Sequence, residues 1–179
     1  MIVVGIKLVI ACVVSLSAAI AVADKTVAIS SGKTVTGRCV GVHDGDTITL
    51  LVDTQDGKRQ AKIRLDGIDA PELGQGFSRQ SREALAEMVF EKPCEVESRG
   101  PDKYGRTIGR VSVERGDVNA AMLDSGMAWH YAKYDHRPEM AAREASARQA
   151  QVGLWSESNP IPPWDWRKMS EVERRAVVP

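Results

Sequence analysis

"DTITLLVDTQDGKRQAKIRL", Asp46–Leu65, decides how this chain folds. Two runs rich in β-branched residues flank Asp56-Gly57, a dipeptide suited to the left-handed backbone of a tight hairpin turn. In the second run the alternation is clean: Ala61, Ile63 and Leu65 face one way, Lys62, Arg64 and Asp66 the other. Arg64 is therefore presented on the polar face of a strand, outside the core. Upstream, "TVTGRCVGV" (Thr34–Val42) has the same β-branched character and adds a third strand.

Working outward, "FSRQSREALAEMVF" (Phe77–Phe90) sets Phe77, Ser81, Leu85, Met88 and Val89 on one stripe at helical spacing, and Pro93 stops the helix. "CEVES" (Cys94–Ser98) and "TIGRVSV" (Thr107–Val113) read as two more strands, joined by the loop "RGPDKYGR". A short helix is expected from Asp117 as N-cap to Gly126, and a last one from Pro138 to Gly153. The tail, "LWSESNPIPPWDWRK", is rich in Trp and Pro and is expected to pack back as irregular chain. Five strands with a helix after the third predict an α+β, mainly β, fold: a five-stranded OB-fold Greek-key barrel with about three helices.

The 179 residues suffice for one domain with a core, and no linker divides it. Lys plus Arg and Asp plus Glu balance at 24 each, so any contact with nucleic acid must come from a local basic patch. Residues 1–23 read as a signal peptide: Lys7 precedes the apolar run "LVIACVVSLSAAIAVA", which ends on the small-x-small Ala21-Val22-Ala23. Cleavage leaves Asp24 as the N-terminus, followed by an extension over 24–35, the domain over 36–157 and the tail over 158–179. The run is shorter than the roughly 20 apolar residues of a membrane anchor. Cys12 falls inside it, where a lipoprotein cysteine would stand at its end. The expectation is an exported monomer, periplasmic or secreted, with no stable membrane association. Export leaves Cys39 and Cys94 either as two free buried thiols or as a disulfide; an oxidising compartment favours the disulfide.

Charge concentrates in "RLDGIDAPE", Arg64–Glu72. Pro71 disfavours helix at Ala70, so the stretch leaves the barrel as extended chain. Asp69 here and Asp46 in "HDGDT", with a loop carbonyl, make an oxygen-only set suited to Ca²⁺, water completing the shell. Ile48 and the lack of a closing Glu exclude an EF-hand. Glu72 could then orient or deprotonate a water, while Arg64 and Arg106, the latter aimed by the Tyr104-Gly105 turn, neutralise a phosphodiester.

The order "DGDT", "RLDGIDAPE", "DKYGR", with "GLW" near the end, resembles the thermonuclease, or staphylococcal-nuclease-like, family over roughly Thr36–Trp155. The resemblance implies Ca²⁺-dependent hydrolysis of DNA and RNA, preferably single-stranded, with the 5′-oxygen leaving and 3′-phosphate ends. It implies Asp46, Asp69 and the Ala70 carbonyl as metal ligands, with Asp44 acting through a water. Glu72 resembles the general base, and Arg64 and Arg106 the transition-state clamps. Lys103 and Tyr104 resemble contacts to a neighbouring phosphate, and Tyr134 an aromatic that packs on the nucleotide. Two positions depart from the pattern. Ala70 replaces a threonine, and Ala132 stands where a second nucleotide-contacting tyrosine belongs, leaving Tyr131 or His130 as stand-ins. The prototype is also strongly basic and this chain is not, which predicts weaker binding at physiological salt.

Two other classes fit parts of the sequence. A non-catalytic OB-type binder of single strands has no need of Glu72 with both arginines. A Ca²⁺-stabilised envelope protein leaves Glu72 and "DKYGR" unused. Trp129, Trp155, Trp164 and Trp166 are expected to pack helices and tail onto the barrel, an exposed one offering a face to a base.

Overall fold

The computed structural model describes residues 26–177. The signal-peptide reading over 1–23, with Cys12, lies outside the described residues. Strands β1 (Thr34–Val42), β2 (Thr47–Thr54) and β3 (Gly57–Leu65) form an antiparallel meander, with Thr54 paired to Gly57 across the tight turn. The two-residue β4 (Ile68–Asp69) follows, then helix α1 (Ser78–Val89). Strand β5 (Pro93–Pro101) pairs with β1, and β6 (Thr107–Val113) pairs with β5. A parallel pairing of β6 with β3, Ile63 to Thr107 through Leu65 to Gly109, closes the five long strands into a mixed barrel.

The interior is what the alternation requires: Ile48, Leu50, Ala61, Ile63, Leu65, Val96 and Val111 are buried there. Helix α1 adds Leu85 and Val89 to that core, and its buried Ser81 donates to the Met127 carbonyl at 2.6 Å. Then come β7 (Gly116–Asp117), α2 (Val118–Asp124), capped by Asp117 through the Ala120 amide, β8 (Trp129–His130) and α3 (Pro138–Gln149). A second apolar cluster, Trp129, Ala147, Leu154 and Trp155 with Phe77 and Trp164 against it, fixes α3 and the tail beside the barrel.

Several expectations change. Helix α3 ends at Gln149, short of Gly153, because Gln151 and Gly153 both adopt positive φ and a 3₁₀ turn (Gly153–Ser156) takes over. Strand β5 extends into the expected loop as far as Pro101. The tail contains α4 (Pro163–Trp166) and α5 (Glu171–Val177). Pro163 starts the first of these, and a capping box starts the second, with Ser170 Oγ accepting from the Glu173 amide at 3.3 Å and Glu173 accepting from the Ser170 amide at 2.7 Å.

Of the two readings of Cys39 and Cys94, the structure shows both as free, buried thiols. Cys94 pairs with Gly37, so Cys39 is its diagonal neighbour across the ladder. Burial raises both thiols, Cys94 to about 12, which favours their protonated form.

Candidate active site

The opening of β2 and the end of β3 lie side by side, with Thr47 paired to Arg64 and the Leu65 amide donating to the Asp46 carbonyl at 2.8 Å. Asp46 is thus fixed by the barrel wall. Its carboxylate accepts from Thr47 Oγ1 at 2.9 Å and from the Ala70 amide at 2.7 Å. The turn before it is tight because Gly45 has no side chain: a Cβ there would stand 1.8 Å from Ser81 Oγ and 2.8 Å from the Ala70 Cβ. Asp69 is placed from the other side by β4, whose pairing with β8 sets Asp69 opposite Trp129.

Arg64 joins the two aspartates. One terminal nitrogen lies 3.1 Å from Asp46 Oδ2 and 2.8 Å from Asp69 Oδ1, while the other donates to the carbonyls of Leu65 and Ile68. Burial raises the Asp46 carboxyl to about 7 against the pull of Arg64, and the neighbouring Asp44 and Asp69 add to the rise. A buried carboxylate in that position favours a cation.

The second arginine arrives on the β5–β6 connection. Arg106 Nε donates to Asp102 Oδ2 at 2.7 Å, and the Arg106 and Tyr104 amides both donate to Asp102 Oδ1 at 2.9 Å. Gly105, at φ 78°, allows the turn. Burial alone would raise Asp102, but the Arg106 hydrogen bonds outweigh it and hold the carboxyl below its ordinary value. Asp102 is the organiser of this arm, and the sequence reading did not single it out.

Arg167 was missed as well. It projects from just past α4, donates to Asp69 Oδ2 at 2.7 Å and Oδ1 at 3.2 Å, and reaches Glu72 Oε1 at 2.5 Å. Those hydrogen bonds, first the one to Asp69, raise its pKa further. The Glu72 loop is tied to the same tail: Gln75 accepts from the Glu72 amide at 2.9 Å and donates to the Ile161 carbonyl at 2.5 Å. A capping box three residues beyond Arg167 was the legible signal that the tail is ordered.

Asp46, Arg64, Asp69, Ala70, Glu72, Lys103, Tyr104, Arg106 and Tyr134 all line one cleft of about 1280 Å³. Tyr104 and Tyr134 are 71% and 66% exposed, so both rings are available at its rim. Of the two stand-ins for the absent tyrosine, Tyr131 lines the cleft, edge-on to Tyr134 at 4.9 Å, whereas His130 is buried.

The donors fit a hard divalent cation. Among the described residues no three His, Cys, Asp or Glu side chains gather at metal-holding spacing, so two carboxylates, a backbone carbonyl and water would form the shell. The cleft also holds seven carboxylates (Asp44, Asp46, Asp66, Asp69, Glu72, Asp102 and Asp135) against six Lys and Arg side chains. A polyanion enters such a cleft more readily once a divalent cation has entered with it.

Residues 62–157 match the family of staphylococcal nuclease homologues. The chain is 41% identical over 170 residues to Protein ParB of Escherichia coli, covering 89% of this chain and 94% of that protein. It is 38% identical over 147 residues to the micrococcal nuclease of Shigella flexneri, covering 75% and 82% of the two. An uncharacterized endonuclease of Haemophilus influenzae is 36% identical over 137 residues, covering 76% and 75%.

Proposed function

The chain belongs to the family of staphylococcal nuclease homologues and is a nuclease, and from that premise we propose that it hydrolyses DNA and RNA with Ca²⁺ as the working ion, leaving 3′-phosphate ends. The observation that carries this reading is the convergence of Asp46, Arg64, Asp69, Glu72 and Arg106 on one cleft.

Held by Asp46, Asp69 and the Ala70 carbonyl, the cation would supply positive charge against a phosphodiester oxygen. Glu72, steadied through its amide by Gln75, orients the attacking water and takes its proton. The water oxygen bonds to phosphorus, the bond to O5′ breaks, and the departing oxygen takes a proton from solvent water, Glu72 later releasing its own to solvent. Arg64 and Arg106 oppose the charge that grows on the phosphoryl oxygens, each pre-aimed by carboxylates that cost it little motion. Lys103 and Tyr104, on the same cleft, are the proposed contacts to the adjacent phosphate, and Tyr134, with Tyr131 beside it, is the proposed face for the base. A single strand, whose bases can reach those rings, is the preferred substrate. If residues 1–23 act as an export signal, the site of action is the periplasm or medium, and a monomer suffices because one chain supplies the whole cleft.

Hydrolysis of single-stranded DNA by the chain beginning at Asp24, with Ca²⁺ and then EGTA, tests this reading. Cleavage is expected to need Ca²⁺ and to fall about 10²–10⁴-fold in Glu72→Gln. Folded protein that binds the strand in Ca²⁺ without cutting it would replace the nuclease by a binding module.

A further inference from the structure

Beside the catalytic cleft opens a second pocket, of about 480 Å³, whose wall includes Trp129, Tyr131, Lys133, Arg148, Trp164 and Lys168. We infer that it is a second nucleotide subsite, receiving the next nucleotide of a single strand as the strand passes out of the cleft. The base lies against the aromatic wall and its phosphate faces Lys133 and Lys168. The substrate class rests on the nuclease reading of the cleft; the pocket itself rests on separate residues.

Continuity is the first support. Tyr131 lines both cavities, so a strand leaving the cleft past this ring enters the pocket. The wall is also rigid. Tyr131 and Trp164 stack with centroids 5.1 Å apart and planes 2° from parallel, and Trp164 packs edge-on against Trp129 at 5.7 Å. Arg148 lies over Trp155 at 3.8 Å and over Trp129 at 4.6 Å, which fixes the floor. Aromatic faces held this way are the sequence-tolerant part of single-strand recognition.

Charge supplies the other part. In a chain with no net charge, this pocket gathers Lys133, Arg148 and Lys168 against a single carboxylate, Glu144. Glu144 is committed to Arg148 at 3.1 Å. Lys168 pairs with Asp165 at 2.8 Å, an exposed contact that a phosphate can replace at little cost. The volume lies within the range of small-ligand pockets and accommodates one nucleotide. Trp164 and Lys168 stand beyond residue 157, where the family match ends, so the tail completes a pocket whose other wall comes from the matched residues.

The test compares a thymidine dinucleotide, which fills only the cleft, with a ten-nucleotide thymidine strand, using the purified protein and its Trp164→Ala, Trp164→Phe and Lys168→Ala variants. For the longer strand, Trp164→Ala is expected to raise KM about 5–50-fold. The Phe variant should restore most of that loss, with kcat and the dinucleotide KM unchanged. Lys168→Ala should lower the slope of log KM against log salt by about 0.7 for the longer strand only. Should Trp164→Ala fail to fold, Lys168→Ala, at a side chain 74% exposed, carries the test alone. Equal effects on both lengths, or none on the longer one, overturn the subsite. Anisotropy of a labelled ten-nucleotide strand in EGTA separates the two readings. Affinity lost in the variants of a protein that never cleaves would support the subsite while removing the nuclease. Normal cleavage, with KM and anisotropy unchanged, would remove the subsite alone.

Discussion

Arg64 serves two carboxylates from one nitrogen while its other nitrogen is anchored on backbone carbonyls, and this division explains why a guanidinium stands there. An ammonium is a point charge without a fork, so Arg64→Lys keeps the charge and loses the geometry. It should lower kcat about 10²-fold with the fold intact by circular dichroism; near-normal turnover would mean that charge alone suffices. Arg167 presents the opposite case, a cation lying where charge is needed for another purpose. Its contact to Asp69 competes with a divalent ion for the same oxygens, and its contact to Glu72 occupies the carboxylate proposed to take the water's proton. The side chain is 41% exposed, which limits such a pair to about 1 kcal/mol. Arg167→Ala should therefore tighten Ca²⁺ binding up to about fivefold by titration calorimetry without substrate. Unchanged or weaker binding would show that Arg167 is no competitor and only holds the tail.

Elements place these residues, and two connections matter most. Asp135 anchors the rim loop after β8: its Oδ1 accepts from the Arg137 amide at 3.0 Å and from Nε at 2.8 Å, and its Oδ2 accepts from a terminal nitrogen at 2.7 Å. Burial raises its carboxyl, but the Arg137 hydrogen bonds outweigh that and hold the pKa below the ordinary value. A depressed carboxyl contributes stability that is complete above the unfolded value, about 3.9, and is lost as pH falls through the folded value. Below about pH 4, Tm should then fall less steeply in Asp135→Asn than in the parent; parallel curves would discount the anchor. The turn into β2 depends on Gly45, and Gly45→Ala should push that turn off Ser81 and Ala70, loosening the Ala70 amide's bond to Asp46 and costing about 1–3 kcal/mol in denaturant titration. Sequence revealed the barrel because inward and outward residues alternate from Ala61 to Leu65, and it brought forward Asp46, Asp69 and Glu72, which share one cleft, because they sit in short motifs. It did not reveal Arg167. That residue meets Asp69 only through the fold, 98 positions away, and no local pattern encodes such a contact. The two cysteines show the same limit: that Cys94 stands opposite Gly37, with Cys39 on the diagonal, follows from a strand register that composition does not specify.

On the scale of the whole molecule, 24 cations and 24 carboxylates leave no long-range field to draw a polyanion in. The cleft itself, with seven carboxylates and six cations, attracts a strand only through particular contacts and a bound ion. Salt dependence counts those contacts, since each phosphate neutralised on a single strand contributes about 0.7 to the slope of log KM against log salt. Arg64, Lys103 and Arg106 give a slope of about 2 for a short strand. One that also reaches Lys168 and Lys133 should approach about 3–4. Measured between 50 and 300 mM KCl at constant saturating Ca²⁺, a slope above about 5 would mean that a basic surface outside both cavities takes part. A slope near zero would mean that the bound ion and the aromatic faces hold the strand, with the arginines engaged only as charge builds at phosphorus.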